Sequence, residues 1–199
     1  MSNEASKALK RRLRDPVWAT HYMRGDAIDI GAGRDGLSRQ REHWPGLTSV
    51  REWDVQDGDA MLMAGVPDES YDLVHSSHCL EHMVDPWDAL FNWWRLVRPG
   101  GHLVVIVPDE EMYEQGVWPS TFNSDHKWSF VMQGAFCQLP KSVSVMEMVT
   151  MLNNTVPPAR AELLELRRLH ATFDWSRPRE DQTLGDAESA IEFVVRKRP

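Results

Sequence analysis

The chain has 199 residues, of which 22 are lysine or arginine and 30 are aspartate or glutamate, so its formal net charge at pH 7 is −8. A protein that binds duplex DNA or bulk RNA usually carries a positive surface, because phosphate contacts dominate its affinity, and we therefore expect no nucleic-acid partner. No apolar run reaches the length of a membrane span, the N-terminus is polar and basic, and only two cysteines are present. These features predict a single cytoplasmic domain over residues 1–199 with no membrane partner.

The pattern of apolar residues and of helix and strand breakers predicts alternating strands and helices in the first half of the chain. The predicted elements are a leading helical segment (1–25), a strand (26–30), a helix that ends near residue 43, a strand (48–53), a weak element (60–64), a strand (71–76), a helix (86–97) and an almost purely apolar strand (102–107). Asp85 is placed to cap the helix at 86–97, and Pro86 suits its first turn. Such alternation implies an α/β fold with a doubly wound parallel sheet.

The second half of the chain has a different character. Residues 112–140 are irregular and rich in aromatic and polar side chains, and 142–153 read as a methionine-rich helix, so we assign 112–155 to a lid over the substrate site. Two long strands are predicted at 161–172 and 191–196, with no strong helix between them. They form an antiparallel pair at the sheet edge, which makes the predicted fold a Rossmann-like, seven-stranded mixed sheet.

A glycine turn follows the first strand. Gly31, Gly33 and Gly36 stand in a G-x-G-x-x-G spacing at the point where the strand turns into a helix. Glycines permit the tight bend and the close approach of a ligand, and the helix that follows presents free N–H groups. The motif alone predicts a nucleotide-like cofactor without saying which one, so NAD is an alternative at this point.

Further motifs stand in register with the glycine turn. They are Asp54 at the end of the second strand, the Gly58-Asp59-Ala60 loop, the run Tyr71-Asp-Leu-Val-His-Ser-Ser-His-Cys-Leu-Glu-His82, and the Arg98-Pro-Gly-Gly101 turn before an apolar strand. With Asp29-Ile-Gly-Ala-Gly-Arg-Asp-Gly36, this order resembles the class I S-adenosylmethionine-dependent methyltransferases, in particular the small type 11 methyltransferase domain, over residues 27–107. The resemblance implies S-adenosylmethionine as the cofactor. The Arg-Pro-Gly-Gly and Leu-Glu-His turns have no role in a dehydrogenase fingerprint, which disfavours NAD.

The resemblance also implies a set of cofactor-binding residues. Asp54 follows Gly36 by 18 residues, close to the offset of about 20 at which a carboxylate binds the ribose hydroxyls. Asp59 is expected to accept the adenine amino group, and Asp29 to orient the glycine loop or to hold the amino group of the methionine part. The predicted cofactor-binding residues are Asp29, Gly31, Ala32, Gly33, Asp54, Asp59, Ala60, Ser76 and His78.

The acceptor side is predicted from the chemistry of methyl transfer. The protein has to align the nucleophile and, for a hydroxyl acceptor, to remove a proton. The motifs of DNA amino- and cytosine-C5-methylating enzymes are absent after the strand at 71–76, which leaves hydroxyl or carboxyl oxygens, or a small-molecule nitrogen, as acceptors. Of these we favour an oxygen of a small molecule or a saccharide. His126 is the leading candidate for a general base, with Asp125 beside it as a second catalytic residue. The predicted substrate-binding residues are Glu81, Asp109, Trp118, Lys127 and Trp128.

The Asp-His-Lys-Trp cluster at 125–128 is similar to methyltransferases of bacterial surface-polysaccharide loci, which suggests a role in polysaccharide biosynthesis. Alternatively, Asp125 caps a short helix while His126 and Trp128 pack. His78 and His82 do not follow zinc-protease spacing, and we expect no metal. A non-catalytic, cofactor-binding partner module with the same fold stays an alternative function, as does an NAD-dependent enzyme, and a homodimer stays open.

Overall fold

A computed structural model describes residues 4–154 and 161–199 of the chain. The strands are β1 (Gly25–Ile30), β2 (Leu47–Trp53), β3 (Tyr71–Ser77), β4 (Val97–Pro108), β5 (Ser129–Val131), β6 (Ser142–Ser144), β7 (Ala161–Leu169) and β8 (Ala190–Lys197). The α-helices are α1 (Glu4–Arg12), α2 (Pro86–Leu96) and α3 (Val145–Leu152).

Six of the strands form one mixed sheet in the order β2-β1-β3-β4-β8-β7. The first four run parallel, whereas β8 is antiparallel to both β4 and β7. The prediction of a Rossmann-like sheet with an antiparallel C-terminal pair is therefore confirmed. Among the described residues, this sheet has six strands rather than the seven expected, and β5 and β6 form a separate parallel pair.

The weak element predicted at 60–64 is a series of turns instead of a strand. Its backbone carbonyls accept hydrogen bonds from side chains of α2. Trp93 Nε1 donates to the Ala60 carbonyl at 2.8 Å, and the Arg95 guanidinium donates to the carbonyls of Met63 and Val66, each at 2.7 Å. Met63 also has a positive φ of 49°, which interrupts an extended chain. These bonds satisfy the carbonyls that a seventh strand would pair.

The helices differ in how well they follow the expected boundaries. α2 begins as predicted, because the Asp85 carboxylate accepts from the N–H groups of Trp87 at 2.9 Å and Asp88 at 3.1 Å, with Pro86 in the first turn. The helix expected after the glycine turn is a 3₁₀-helix at Leu37–His43. The leading helical segment divides into α1 and a π-helical turn at Trp18–Tyr22, and its first three residues lie outside the described part.

Both faces of the sheet are buried at its central strands. Leu103, Val105 and Val107 of β4 pack into one core with α2 and α3, while Val104 points to the other face. That second face is covered by Trp18 and by other side chains of the segment before β1. This arrangement confirms the interpretation of 102–107 as a strand buried on both sides. No helix in the described ranges has both the length and the apolar character that a bilayer crossing requires.

Buried charges fix α1 to the last strand. Glu192 of β8 is fully buried and accepts from Arg11 Nη1 at 2.6 Å and from Arg12 Nε at 2.9 Å. The two guanidinium groups outweigh the effect of burial and lower the pKa of Glu192. Arg12 also lies 3.1 Å from His75 of β3. The end of α1 is thereby fixed to β8 and β3.

Residues 112–154 pack beside this sheet end in a mixture of turns, the β5–β6 pair and α3. The methionine-rich helix is shorter than expected because residues 142–144 form β6 instead. Ser144 ends that strand and caps α3, accepting from the Glu147 N–H at 3.2 Å. The lid function of 112–155 stays a prediction, and its last residue lies outside the described part.

Candidate cofactor and acceptor site

The glycine turn lies at the carboxyl end of β1. Gly31 and Gly33 have φ values of +74° and +54°, in the left-handed region that favours glycine. The Gly31 N–H donates to the Trp53 carbonyl at 2.8 Å, which ties the turn to the end of β2. A Cβ added to Gly33 would meet only the Gly31 carbonyl oxygen, at 3.9 Å. The backbone at Gly33 is therefore open to the close approach of a ligand.

A cavity of about 740 Å³ borders this turn. It lies at the carboxyl edge of the sheet, where ligands bind in open α/β folds, and its volume suits a small molecule. Its walls come from the glycine turn, from the turn after β3 and from the region expected to be a lid. The lining residues include Asp29, Gly31, Ala32, Gly33, Ser77, His78, His82, Tyr113, Phe122 and Asn123.

Two polar atoms at the end of β3 fit a bound ligand. Ser77 Oγ and His78 Nε2 are buried and lack a hydrogen-bond partner among the described residues, although His78 Nε2 lies 3.7 Å from Glu4 Oε2, and both residues line the cavity. Buried polar atoms in native proteins are usually paired, so these atoms indicate a missing ligand or water. Together with the open backbone at Gly33, they fit the nucleoside and amino-acid groups of the cofactor implied by the sequence.

Asp29 connects the glycine turn to the strands beneath it. Its carboxylate accepts from the Leu37 N–H at 2.6 Å, and its other oxygen lies 2.6 Å from His75 Nδ1. Asp29 is buried and also lines the cavity. Of the two roles expected for this residue, orientation of the glycine loop is the one that its contacts support.

The other acidic residues expected to bind the cofactor lie near the same sheet edge but do not line the cavity. Asp54 directly follows Trp53, whose carbonyl binds the glycine turn, and its carboxylate accepts from the Val55 N–H at 2.8 Å. Asp59 accepts from the Met61 N–H at 2.8 Å, while the Ala60 carbonyl is held by Trp93. Their ribose and adenine contacts stay predictions.

Ser76 and Ser77 point to opposite sides of β3, as neighbouring strand residues do. Ser76 is fully buried, and its hydroxyl donates to the Ile30 carbonyl at 2.9 Å inside the sheet. The hydroxyl that borders the cavity belongs to Ser77. Ser76, expected to bind the cofactor, is thus occupied by a sheet contact, and the sequence analysis missed its neighbour.

A cluster of imidazole and carboxylate groups adjoins the cavity. We call Glu81, His82 and His126 the Glu-His-His cluster. Glu81 is fully buried, and His82 Nε2 and His126 Nε2 each lie 3.9 Å from its Oε1. His78 Nδ1 lies 3.5 Å from the same oxygen. Of these groups, His78 and His82 reach the cavity, whereas His126 is buried behind them.

The charges in this cluster are set by competing effects. Burial opposes ionisation of Glu81, but His78, His82 and His126 together outweigh it and lower the pKa of the carboxyl group. Burial also opposes the charged form of His78, yet Glu81 and Glu4 exceed this effect and raise its pKa. Glu81 is therefore an anion at neutral pH, enclosed by nitrogen atoms.

Each outer imidazole nitrogen of the cluster has its own carboxylate. His82 Nδ1 lies 2.9 Å from Asp125 Oδ2, and His126 Nδ1 lies 2.9 Å from Glu114 Oε1. Asp125, expected to act with His126, thus pairs with His82 instead. Glu114 is fully buried and was missed by the sequence analysis, because nothing in its spacing connects it to His126.

Residues 126–128 are fixed against the turn after β3 by three hydrogen bonds. The Lys127 N–H donates to the Glu81 carbonyl at 2.8 Å, and Lys127 Nζ donates to the His82 carbonyl at 2.7 Å. Trp128 Nε1 donates to the Met83 carbonyl at 3.0 Å. Lys127 and Trp128 do not line the cavity, so these contacts support a positioning role. Substrate binding by either residue stays a prediction.

Asp109 and Trp118 lie apart from the cavity at the glycine turn. Asp109 caps a turn by accepting from the Met112 N–H at 3.0 Å, and it pairs with Arg168 at 2.7 Å. It lines a second cavity, also of about 740 Å³, that includes Arg168 and Trp175. Trp118 is half-buried, and its peptide bond to Pro119 is cis. The structure does not bring these two residues to the Glu-His-His cluster.

The lining residues that the sequence analysis missed include Ser77, His82, Tyr113, Phe122 and Asn123, and also residues of α1 and of the segment at 181–184. Tyr113 stacks against His126, with 4.9 Å between ring centroids, and packs edge-on against Phe122. Burial raises the pKa of Tyr113, with further contributions from nearby carboxylates, so its hydroxyl stays protonated at neutral pH. The sequence signal for these lining residues was the aromatic content of residues 112–128, but no spacing rule shows which of these residues line the cavity.

Comparison with known proteins gives relatives of this fold. A family model described as a methyltransferase domain matches residues 4–105, half of the chain. A search of curated proteins returns no match. A putative methyltransferase from Bacillus halodurans is 15% identical with a TM-score of 0.59, and the alignment covers 95% of this chain and 98% of that one.

Two further solved structures name a ligand or a partner. A chain of the complex between the Haloferax volcanii Trm112 methyltransferase activator and a putative methyltransferase is 15% identical with a TM-score of 0.60, covering 100% of this chain and 99% of that one. A Burkholderia thailandensis 1,6-didemethyltoxoflavin-N1-methyltransferase, with that compound and S-adenosylhomocysteine bound, is 14% identical with a TM-score of 0.55. It covers 97% of this chain and 80% of that one. At these identities the likeness concerns the fold.

Proposed function

The chain belongs to the methyltransferase-domain family, and from this premise we propose that it transfers a methyl group from S-adenosylmethionine to a hydroxyl oxygen of a small molecule or saccharide. The family and the cofactor expected from the sequence are confirmed. The observation that carries the hydroxyl assignment is the contact between the cavity and the Glu-His-His cluster. A hydroxyl has to lose a proton on methylation, and this cluster combines an anion with imidazole groups.

The cofactor side of the proposed site is built on the glycine turn. The bound cofactor supplies an electrophilic methyl group on a positively charged sulfur. Gly33 leaves space for close approach, Asp29 orients the loop, and the unpaired Ser77 hydroxyl offers a polar contact. Asp54 is expected to bind the ribose hydroxyls because it stands at the end of β2 beside the turn.

The acceptor side is formed by residues that follow β4. Tyr113 and Phe122 contribute aromatic side chains to the cavity wall, and Asn123 adds an amide that both donates and accepts hydrogen bonds. The protonated Tyr113 hydroxyl is a donor for an acceptor oxygen. A ring that carries hydroxyl groups fits this combination, which is the support for a saccharide or a small hydroxylated molecule.

Activation of the hydroxyl is assigned to the Glu-His-His cluster as a unit. His82 borders the cavity, Glu81 supplies negative charge behind it, and His126 completes the cluster without reaching the cavity itself. His126, the general base favoured by the sequence, therefore acts through its neighbours in this proposal. Asp125 and Glu114 are positioning residues because each binds an outer imidazole nitrogen.

Calorimetric titration with S-adenosylhomocysteine tests the cofactor, with NAD as the parallel control. We expect micromolar binding of S-adenosylhomocysteine and no binding of NAD. Release of S-adenosylhomocysteine from S-adenosylmethionine is then measured with hydroxylated sugars and phenols, and with amines as rival acceptors. Turnover on amines alone would contradict the oxygen assignment.

A matched pair of variants tests the cluster. His82→Asn removes the imidazole at the cavity wall, whereas His43→Asn removes an exposed imidazole outside it. We expect His82→Asn to lower kcat by 10²-fold or more while S-adenosylhomocysteine binding stays close to that of the unmodified chain, since general-base contributions are about 10²–10⁴-fold. Equal kcat in the two variants would remove the cluster from the mechanism.

The partner module stays a second candidate because a chain of similar fold occurs in complex with an activator. That function predicts S-adenosylhomocysteine binding without turnover on any acceptor by the isolated chain. Turnover that appears only with a second subunit and that is unchanged by His82→Asn in this chain would support it, because the chemistry would then lie in the partner. The polysaccharide role and the cytoplasmic location remain predictions from the sequence.

A further inference from the structure

We infer that the Glu-His-His cluster is a binding site for one divalent transition-metal ion, with Zn²⁺ as the reference ion. The three ligand atoms are Glu81 Oε1, His82 Nε2 and His126 Nε2. One ligand atom from each residue lies within 4.8 Å of the others. The site itself stands on geometry alone; only its use in methyl transfer rests on the proposed function.

The first argument is the state of Glu81. Both carboxylate oxygens are buried and lack a hydrogen-bond partner among the described residues, although the side chain is 0% exposed. A carboxylate without hydrogen bonds in this environment is costly, and an ion is one of the few groups that would satisfy it. The nearest nitrogen atoms lie at 3.5–3.9 Å, too far to replace a full set of hydrogen bonds.

The second argument is the orientation of the two imidazoles. Each turns Nε2 toward Glu81 and places Nδ1 at 2.9 Å from a carboxylate, Asp125 for His82 and Glu114 for His126. A metal-bound histidine almost always has its other ring nitrogen bound to a carboxylate, carbonyl or water, because this fixes the tautomer and raises ligand basicity. Both histidines meet that condition, and a neutral ring with its proton on Nδ1 would leave the lone pair of Nε2 free for the ion.

The third argument is the spacing of the ligand atoms. With metal–ligand distances of about 2.0–2.1 Å, neighbouring ligands in a tetrahedral site are separated by about 3.4 Å. The two observed Nε2–Oε1 separations are 3.9 Å, so each of these two edges would shorten by about 0.5 Å, and the three ligand atoms already lie within 4.8 Å of one another. Movements of this size lie within side-chain rotation.

The fourth argument is the rigidity of the two segments that carry the ligands. The Lys127 N–H binds the Glu81 carbonyl at 2.8 Å, and Lys127 Nζ binds the His82 carbonyl at 2.7 Å. The segment with His126 is thereby fixed to the turn with Glu81 and His82. A site held by such bonds requires little ordering of the chain when the ion binds.

Two histidines and one carboxylate, with further positions open, form a ligand set used for Zn²⁺ and for Fe²⁺ in catalytic sites. His82 borders the cavity, so an open position would face the side on which the acceptor is expected. A hydroxyl bound there would have a lower pKa and would release its proton to solvent. The expectation of no metal, drawn from the sequence, is revised by this inference.

The test is metal binding by the full chain after treatment with a chelator. Co²⁺ serves as the optical probe through its visible d–d absorption, and Zn²⁺ is measured by calorimetry and by displacement of Co²⁺. We expect one equivalent of each ion. Glu81→Gln, His82→Asn and His126→Asn should each weaken binding by at least about 100-fold, and Glu114→Gln by about 10–100-fold, as for other outer carboxylates.

The matched control is His43→Asn, because His43 forms an exposed pair with Glu42 at 3.5 Å and represents adventitious surface binding. Its affinity should equal that of the unmodified chain. Circular dichroism establishes that each variant is folded. His82→Asn keeps the test decisive if Glu81→Gln fails to fold, since the His82 side chain is 25% exposed.

Absence of a one-equivalent complex would overturn the inference, as would full affinity in the folded His82→Asn and His126→Asn variants. S-adenosylhomocysteine binding is measured on the same samples. A chain that binds S-adenosylhomocysteine but binds no metal ion would leave the proposed function standing and refute the metal site. Metal binding without S-adenosylhomocysteine binding would support the site and refute the proposed function.

Discussion

The open backbone at Gly33 leads to a prediction that separates cofactor binding from backbone strain. Gly33 and Gly65 both have a positive φ, +54° and +78°. A Cβ at Gly65 would meet no atom within 4 Å, and a Cβ at Gly33 would meet only the Gly31 carbonyl oxygen, at 3.9 Å. Gly33 lines the cavity, whereas Gly65 is exposed outside it. Alanine at either position therefore adds similar strain, but only at Gly33 does the methyl group occupy cavity space.

The magnitudes follow from these geometries. Left-handed backbone costs an alanine about 1–2 kcal/mol, and a lower entropy of the unfolded chain offsets about 0.4–1 kcal/mol of this. Both Gly33→Ala and Gly65→Ala should therefore lose about 1 kcal/mol of unfolding free energy, a fall in Tm of about 2–4 °C. A methyl group in the path of the cofactor costs a further amount of about 1–3 kcal/mol, as overpacking does, which is about 5–150-fold in Kd.

Calorimetry with S-adenosylhomocysteine, together with thermal unfolding of each variant, measures both effects. We expect weaker binding in Gly33→Ala and unchanged binding in Gly65→Ala, at similar Tm. Unchanged binding in a folded Gly33→Ala would refute the assignment of this turn to the cofactor. Equal losses of affinity in both variants would mean that strain, not occupied space, is the cause.

Three other predictions concern single residues. Asp54→Ala should weaken the binding of S-adenosylhomocysteine by about 1–3 kcal/mol in calorimetry, since it removes a charged hydrogen-bond acceptor; an unchanged Kd would refute the ribose contact. Glu192→Gln should lower the unfolding free energy by about 3–5 kcal/mol in denaturant titration, because Arg12 is left buried without its anion. Glu162→Gln should cost far less, because solvent screens its pair with Arg198; equal losses would contradict this. Burial, with the charge of Arg196, lowers the pKa of His102 to about 4. As the pH falls from 6.5 toward 4, the unfolded chain binds a proton at His102 before the folded chain does. The stability that neutral His102 provides is therefore present above pH 6.5 and lost as the pH falls toward 4. We expect His102→Gln to reduce the difference in unfolding free energy between pH 7.5 and pH 5 by about 1–2 kcal/mol, after allowance for the partial exposure of the side chain. Denaturant unfolding curves at the two pH values measure this difference, and an unchanged difference would show that other groups cause it.

The parts of the fold that could be predicted are those that local sequence determines. The glycine turn requires positive φ at Gly31 and Gly33, and only glycine adopts it without strain. The Asp85 carboxylate starts α2 by accepting from the N–H groups of Trp87 and Asp88, and Pro86 stands in the first turn. The apolar run of β4 indicates a strand with both of its faces buried, as the structure has it. In each case the evidence lies within a few residues of the element.

The elements that could not be predicted depend on distant partners. The weak element expected at 60–64 forms turns, and its carbonyls are bound by Trp93 and Arg95, which lie some 30 positions away in the sequence. Asp109 follows β4 as a substrate-binding residue would, but Arg168 of β7 takes its carboxylate. Neither pairing can be predicted from local sequence, because each joins two elements whose relative positions are known only once the chain has folded.

The same distinction explains why the cofactor was predictable and the acceptor was not. The cofactor side of the proposed site consists of a single turn and the strand ends beside it, so motifs of consecutive residues indicate it. The acceptor wall depends on contacts between Glu81 and His126, His82 and Asp125, and His126 and Glu114. Two of these residues are fully buried carboxylates, an environment that composition never predicts because acidic residues are rarely buried unless paired. A different set of residues at 114, 125 and 126 would leave the cofactor turn intact while changing how the acceptor is activated, so family membership alone cannot identify the acceptor.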